Sequence, residues 1–223
     1  KLKVDFLPSG MITLFHNRSG SYISLGGVYE VKNKSTTIKE IAAKVIRQSD
    51  NATLSLIWST FPSPICRRVA GNFETSFETA HPFKVEADTL APAFVEFVDK
   101  CANMDEVSNN ILYPVVCATM PIFSQPNATL PIVDGAVRAL PEYALAKIAL
   151  NDHFFWKADE YEMVITTIHS KGTFDKKYVF SLSDAESLRL RNNIDSVLIS
   201  HVANHFGIPV QMNTVTKDFK GKK

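Results

Sequence analysis

The stretch KKYVFSLSDAESLRLRNNI, residues 176–194, joins a strand pattern to a helix pattern with almost no loop between them. Tyr178, Phe180 and Leu182 place large apolar residues at every second position, which indicates a strand with one buried face. Ser183 and Glu186 then have the spacing of a capping box, in which two side chains satisfy free backbone N–H groups at a helix start. The stretch therefore predicts a strand that leads directly into a capped helix.

The segments around this stretch extend the pattern in both directions. Residues 161–169 and 173–182 indicate two strands, and we expect them to form a long hairpin that closes at 170–172. The helix should end before Gly207 and Pro209, since glycine favours the position just after a helix and proline cannot continue one. Its predicted buried residues are Leu190, Ile194, Val197, Leu198 and Val202.

A second strand-to-helix step is predicted in FKVEADTLAPAFVEFV, residues 83–98. Asp88 or Thr89 would cap the helix, which should run to about Asn103. If the two steps belong to one repeated unit, the chain contains two β-rich units that each end in a helix. The alternative is two independent capped helices in an ordinary α+β domain.

The remaining first-half elements are predicted from periodicity. Residues 11–31 indicate a hairpin around the turn NRSG. Residues 36–48, TTIKEIAAKVIRQ, predict a helix with an apolar stripe that includes Ile41 and Ala42 and a capping box at Thr37. Residues that predict strands lie at 52–61, ending at PSP, and at 65–71 and 72–79.

The middle of the chain contains several proline residues that affect the predicted elements. ILYPVVCATMPIF, residues 111–123, predicts a strand interrupted by Pro114. SQPNATLPIVDG, residues 124–135, predicts a connecting loop, and residues 141–151 predict a helix with proline in its first turn.

The predicted fold class is therefore α+β, with a mainly antiparallel sheet and three to four helices. Residues 1–223 would form one domain, or else a pseudo-duplicated pair of tandem units, 1–120 and 136–212, joined by the proline-rich loop. Residues 213–223 carry four lysines and predict a basic flexible tail.

The order of elements ending in KKYVFSLSDAESLRLRNNI resembles Whirly-type domains, in which two tandem units of antiparallel strands plus a helix pack together. The resemblance covers about two thirds of the chain and rests on no diagnostic motif. It implies an oligomer that binds single-stranded DNA or RNA.

The composition of the sequence limits which partners and which cellular compartment we expect. Of 223 residues, 45% are hydrophobic and 21% are charged, and the net charge is +1, so a polyanion would have to meet a local basic patch. The three cysteines are far apart and have no metal-ligand spacing, which predicts buried thiols in a reducing, intracellular compartment. The sequence has no apolar run long enough for a membrane span, so we expect no membrane partner.

Catalytic motifs are missing from the sequence. It has no P-loop, no nucleophile elbow and no dinucleotide fingerprint. His201 and His205 share a helix face, but the residue after His201 is Val202 rather than the glutamate of a zinc protease. We therefore expect no enzyme activity, no catalytic residue, no metal and no cofactor.

The candidate binding residues combine aromatic and basic side chains. Bases of single strands stack on aromatic rings while cations contact the phosphates, and HFFWK, residues 153–157, supplies both kinds of group. The alternative is that these aromatic residues belong to the core. The predicted nucleic-acid contacts are Trp156, Lys157, Lys171, Lys176, Lys177, Arg189 and Arg191, with Arg67 and Arg68 as a second patch.

The leading functional prediction is a non-enzymatic protein that binds single-stranded RNA or DNA with little sequence specificity and acts as a homo-oligomer. The alternative is a structural or assembly protein, for example a viral or scaffold subunit, that acts through protein contacts. An enzyme with an unrecognised site is the third possibility.

Overall fold

The fold is α+β and is built on one large, mainly antiparallel sheet. The structure, a computed structural model, describes residues 1–18, 20–69, 72–99 and 107–221, with side chains for all of these except 62–69, 72–77 and 108. Strands from both halves of the chain pair in the same sheet, since the third strand is hydrogen-bonded to the eighth.

The strands run in the order β10-β1-β2-β7-β4-β3-β8-β9-β11, with β5 paired to β4 and β6 paired to β3. Their bounds are β1 Lys3–Asn17, β2 Gly20–Lys32, β3 Thr36–Arg47, β4 Thr53–Val69, β5 Asn72–Thr79, β6 Phe83–Val85, β7 Thr89–Asp99, β8 Asp159–His169, β9 Gly172–Leu182, β10 Thr214–Asp218 and β11 Lys220–Gly221.

The two ends of this order meet, so the sheet is nearly a barrel. β10 pairs with β1, and β11, which follows after the single residue Phe219, pairs with β9. One C-terminal segment, residues 214–221, thus lies between the first strand and the second strand of the β8–β9 hairpin. Phe219 is buried there and packs edge-on against Tyr178, with ring centroids 4.8 Å apart.

The helices lie in two groups. Residues Val107–Leu112 form a π-helical segment, followed by α1 Tyr113–Phe123, α2 Leu130–Arg138 and α3 Pro141–Asp152; α4 Asp184–Arg191, α5 Asn193–Leu198 and α6 Ser200–His205 follow β9. Buried Asn193 fixes α5 to the sheet, because its Nδ2 donates to the carbonyls of His16 and Asn213. The helices therefore lie near the end of the barrel where β1 ends.

Aromatic side chains fill that end of the barrel. Phe154, Phe155 and Trp156 connect α3 to β8 and are all buried. The Trp156 indole N–H donates to the carbonyl of Phe15, and the Ser187 hydroxyl donates to the carbonyl of Trp156. These contacts attach the segment to both β1 and α4.

The helix predicted at residues 36–48 is wrong, because this segment is strand β3. Its burial alternates, with Ile41, Ala43 and Val45 buried, and β3 pairs with β4 and β8. A register shift between Ile38 and Glu40 interrupts the alternation. That shift gives the apolar residues a spacing that imitates a helical stripe.

The helix predicted after residue 88 is also wrong. Residues Thr89–Asp99 form β7, which pairs with β2 and β4; the predicted end of the helix, residues 100–103, lies outside the described part of the chain. Asp88 has a positive φ of 57° and lies in the turn that joins β6 to β7. The first proposed strand-to-helix step is therefore a strand-turn-strand step, which removes the basis for a repeated unit.

Further predictions also need correction. The strand and loop predicted at 111–135 are mostly helical, as α1 and α2, and Pro114 and Pro131 each lie in a first helical turn, where proline is tolerated. The strand predicted to end at Pro62 continues to Val69 with a register shift. Residues 214–221 of the predicted flexible tail are strands β10 and β11 with their connection. Six α-helical segments exceed the expected three to four in the described residues. Cys117, predicted to be a buried thiol, is exposed on α1.

Other predictions are confirmed. The β1–β2 and β8–β9 hairpins, the β4–β5 strand pair and the helix at 141–151 form where expected. The capping box is present, with Glu186 N–H donating to Ser183 Oγ and Ser183 N–H donating to Glu186 Oε2. Leu190, Ile194, Val197, Leu198 and Val202 are buried, but they belong to three short helices rather than to one.

Candidate functional site

Trp156 cannot take the stacking role that the sequence suggested. Its side chain is 0% exposed and its indole N–H is satisfied by a backbone carbonyl. Its ring lies 5.1 Å from that of Phe155 and 5.8 Å from that of Tyr161. The alternative assignment of this aromatic cluster to the core is the one that the packing supports.

Lys157 and Arg191 line one small cleft of about 300 Å³. It lies between the segment that enters β8 and helix α4, and Asp184 and the exposed side chain of Leu188 also line it. The Arg191 guanidinium lies 5.1 Å from the centre of the Phe154 ring, within cation–π range. Arg189 is exposed on the same helix, and so three of the predicted basic residues lie in this region.

The lysines of the β8–β9 hairpin do not form one patch. Lys171 is exposed at the tip of the hairpin. Lys176 shares a strand face with buried Tyr178, and its Nζ lies 2.6 Å from Asp5 Oδ1. Lys177 points to the opposite face, and its Nζ lies 3.6 Å from Glu162 Oε1.

The tip of the β8–β9 hairpin lies far from the cleft at Lys157. β8 has eleven residues, which span about 35 Å at the usual rise of a strand. Lys171 and Lys157 therefore lie at opposite ends of the hairpin. Arg67 and Arg68 belong to β4, where they pair with Glu74 and Phe73, but their side chains are outside the described part of the chain.

A groove of about 680 Å³ lies near the C-terminal segment. It is lined by both signs of charge, with Glu160, Glu162 and Asp218 opposed by Lys217 and Lys220. Lys217 is already paired, because its Nζ lies 2.8 Å from Glu186 Oε1. This pair connects the C-terminal segment to the first turn of α4.

Sequence reasoning missed an apolar surface on the first group of helices. We call it the apolar helical face and define it by five side chains, each at least half exposed: Tyr113, Met120, Ile132, Leu145 and Ile148. They project from α1, α2 and α3, which pack against one another. The signal was available, since residues 107–133 contain no Asp, Glu, Lys, Arg or His.

A polar network joins helices α2 and α3 to α5. The Tyr143 hydroxyl donates to Asp195 and accepts from Arg138, and Lys147 Nζ lies 2.8 Å from Asp195 Oδ1. Burial raises the pKa of Tyr143, and the bond to Asp195 adds to that rise. The tyrosine therefore stays a neutral donor, and α2, α3 and α5 share one set of contacts.

A histidine forms a similar bridge between α6 and α1. Nε2 of His201 lies 2.9 Å from Thr119 Oγ1, which itself donates to the carbonyl of Val115. Burial lowers the pKa of His201. His205 stacks on Phe123 at 4.0 Å. Both histidines thus contact α1.

Two kinds of feature are absent from the described residues. They contain no group of three or more His, Cys, Asp or Glu side chains placed to hold a metal ion. They also contain no helix with the length and apolar character to cross a membrane.

Comparisons with known proteins add little to this geometry. No protein-family model matches the sequence, and no curated protein matches it. Among solved structures, the chain is similar to a family 123 glycoside hydrolase from Clostridium perfringens that was studied for glycolipid glycan hydrolysis. The TM-score is 0.35 and the identity is 8%, over 82% of this chain and 28% of that one, so the likeness supports no functional conclusion.

Proposed function

We propose that the protein is a non-enzymatic assembly subunit that associates with copies of itself through the apolar helical face. The observation that supports this proposal is the exposure of its five large apolar side chains, of which Leu145 is the most exposed at 67%. Monomeric proteins expose isolated apolar residues, whereas larger exposed apolar patches mark interaction sites. Three packed helices that each present such residues fit the second description.

A second copy of the chain is the occupant that fits the charge pattern. In a two-fold symmetric dimer, each surface faces the same surface of the partner, so a charged patch would meet its own sign. The segment that supplies Tyr113, Met120 and Ile132 has no charged residue, which avoids that repulsion. Depletion of charge is also typical of the centre of an interface.

The test is the oligomeric state of the full chain and of Leu145→Glu, measured by light scattering and analytical ultracentrifugation. We expect the wild type to show at least twice the protomer mass of 24.8 kDa. Leu145→Glu should weaken association by more than about tenfold, since truncation of a central interface residue costs about 2 kcal/mol or more. A second variant, Ile132→Glu, lies on a different helix and should also weaken association.

Leu188→Glu is the matched control, because Leu188 is 58% exposed but lies on α4, outside the apolar helical face. It should leave the mass unchanged. A wild type that remains monomeric up to about 0.1 mM contradicts the proposal. Its free energy of association would then be weaker than about −5.5 kcal/mol. Equal weakening by Leu188→Glu would contradict the assignment of the surface.

A second candidate function is the binding of single-stranded nucleic acid. The specific observation in its favour is that Lys157 and Arg191 line one cleft and Arg189 is exposed nearby. Without Trp156 as a stacking platform, the affinity would come mostly from phosphate contacts. Such binding is strongly salt-dependent, because neutralising each phosphate releases counterions.

This candidate is tested by the anisotropy of a labelled single strand at several salt concentrations. The double variant Lys157→Ala, Arg191→Ala should reduce the slope of log affinity against log salt by about 0.7 for each phosphate that it no longer neutralises. Lys44→Ala is the control, since Lys44 is exposed on β3, away from the cleft. No retention of the strand by the wild type at low salt would contradict this function.

A further inference from the structure

The open end of the barrel contains a basic cavity that neither candidate function uses. Lys1, Lys34, His169 and Lys171 line a space of about 470 Å³, together with Leu2, Gly172 and Thr173. These residues come from three segments: the start of β1, the β2–β3 connection and the tip of the β8–β9 hairpin. None of the described residues that line it is acidic. We call it the basic cavity.

Hydrogen bonds hold the three segments in a fixed arrangement. Asn33 Nδ2 donates to the carbonyl of Lys1 at 2.9 Å, which attaches the start of the chain to the β2–β3 connection. The hydroxyls of Thr36 and Ser170 lie 2.9 Å apart, and Ser170 N–H donates to the carbonyl of Thr37. The basic groups therefore surround a cavity whose backbone is already positioned before any ligand arrives.

The contacts of His169 determine which of its nitrogens carries a proton. The backbone N–H of Lys171 donates to Nδ1 at 3.3 Å, so Nδ1 is an acceptor. In a neutral imidazole, the proton then lies on Nε2, which becomes a donor. Nε2 is 3.8 Å from the position that a Cβ on Gly172 would occupy, so it lies beside another residue that lines the cavity.

The start of β9, which supplies Gly172 and Thr173 to the cavity, also has backbone N–H donors. β9 is paired with β8 along its length, but on its other edge β11 reaches only Tyr178 and Val179. In an antiparallel strand, the N–H groups alternate between the two edges. Among the pairings of the described residues, the first part of β9 from Gly172 therefore has N–H groups on an edge that no strand covers.

We propose that the basic cavity binds a phosphate monoester. Three ammonium groups and a neutral N–H donor match a small dianion with several acceptor oxygens, and lysine is a common phosphate ligand because it acts as a point charge. A carboxylate offers only two oxygens and one charge, so it would leave most of these donors without a partner. The cavity is also larger than a phosphate group alone, and its remaining volume holds the esterified part of the ligand.

The experiment is isothermal titration calorimetry of the full chain with inorganic phosphate and with phenyl phosphate. We expect saturable binding of both probes, and Lys34→Gln should weaken it by about tenfold or more, since it removes one charge-assisted contact with the phosphate. Lys44→Gln makes the same charge change on the outer face of β3 and should leave the affinity unchanged. Melting temperatures of all variants show whether they remain folded.

A pair of substitutions at His169 tests the inferred tautomer. His169→Asn keeps an acceptor near the position of Nδ1 but loses the donor at Nε2, whereas His169→Gln can restore a donor near Nε2. We expect the first to weaken phosphate binding and the second to recover part of it. The same loss in both folded variants would overturn the assignment of Nε2 as the donor.

The two probes separate the sources of the phosphate group. Tighter binding of phenyl phosphate than of inorganic phosphate supports an ester in the cavity, whereas equal or weaker binding overturns the ester and leaves free phosphate as the ligand. Absence of saturable heat with either probe, or an equal effect of Lys34→Gln and Lys44→Gln, overturns the site altogether. A 5′-phosphorylated single strand compared with its unphosphorylated form separates this site from the cleft at Lys157.

Discussion

His16 shows how burial controls a single ionisable residue. It is 3% exposed, its Nδ1 lies 3.4 Å from Ser21 Oγ, and its ring packs edge-on against Phe154 at 5.0 Å. Burial lowers its pKa from 6.5 to about 4. In the folded protein, His16 is therefore neutral at neutral pH and becomes protonated only near pH 4.

This pKa predicts a loss of stability in acid. Between about pH 6.5 and pH 4, the unfolded chain binds a proton at His16 that the folded chain does not, so stability falls as the pH falls through that window. The two pKa values differ by an amount equivalent to about 3 kcal/mol. Denaturant melts of wild type and His16→Asn at pH 7 and pH 4.5 measure this loss of stability.

The variant should show a flatter dependence of stability on pH, whatever its absolute stability. Other histidines contribute the same slope to both proteins, since burial also lowers the pKa of His169 and of His201. Identical slopes in wild type and variant would mean that His16 is accessible to protons in the folded state.

Arg47 shows the opposite case, because this buried side chain stays charged through its hydrogen bonds to Asp50 and Phe155. Arg47 is 5% exposed, yet it makes two hydrogen bonds to the Asp50 carboxylate and donates to the carbonyl of Phe155 at 2.7 Å. The bond from Arg47 lowers the pKa of Asp50 to about 2. These contacts join the end of β3 to the aromatic segment that fills the barrel.

Trp156 marks the limit of residue-level prediction for the site. HFFWK places aromatic and basic residues side by side, and a sequence does not reveal whether neighbouring side chains point to the same environment. Lys157 is exposed and Trp156 is not, because the segment runs across the end of the barrel. The basic residues of the Lys157 cleft were predictable, whereas the stacking platform was not.

Among the elements, β3 is the clearest case of tertiary structure overriding local pattern. Its sequence has the charges and apolar spacing of an amphipathic helix, but it is rich in Ile, Val and Thr, which favour strands. Pairing with β4 and β8 decides the outcome, and the register shift near Lys39 is invisible to a periodicity argument. The capping box of α4 was predictable because both of its partners lie within four consecutive residues.

Two neighbouring alanines distinguish the strand from the helix. Ala43 is 3% exposed and faces the core, whereas the helical pattern would bury Ala42 instead. We expect Ala43→Glu to destabilise the protein by about 3 kcal/mol or more, because a carboxylate would be buried without a partner. Ala42→Glu should cost about 1 kcal/mol or less.

The measurement is the denaturation midpoint of the two variants, which differ by one position and carry the same substitution. A greater loss of stability in Ala42→Glu than in Ala43→Glu would support a helix and contradict β3. Similar small losses in both would place this segment outside the core.

For the whole molecule, barrel closure depends on the contacts of one short segment. Residues 214–221 pair with β1 and β9, and Phe219 is the buried anchor between them, with its N–H donating to the carbonyl of Gly10. This closure could not be predicted from the sequence, because four lysines in the last residues have the composition of a solvated tail. Only the partner edges of β1 and β9 give the segment its strand structure.

Phe219→Ala tests this role. We expect a loss of about 3–5 kcal/mol, the usual range for removal of a buried phenyl ring. Amide hydrogen exchange should increase most at residues 11–15 of β1 and at 178–179 of β9, which are the partners of the segment. Phe94→Ala, at a residue that is 41% exposed, is the control and should change exchange little.

The closing segment also constrains how the chain can fold on a ribosome. Thr13 of β1 and Thr216 of β10 are hydrogen-bonded neighbours, although 203 positions separate them in the sequence. At about 5–20 residues per second, roughly 10–40 seconds pass between the synthesis of these two positions. During that time, one edge of β1 has no partner, and an unpaired edge can pair with other chains. The nascent protein is therefore most exposed to aggregation in the interval before residues 214–221 emerge.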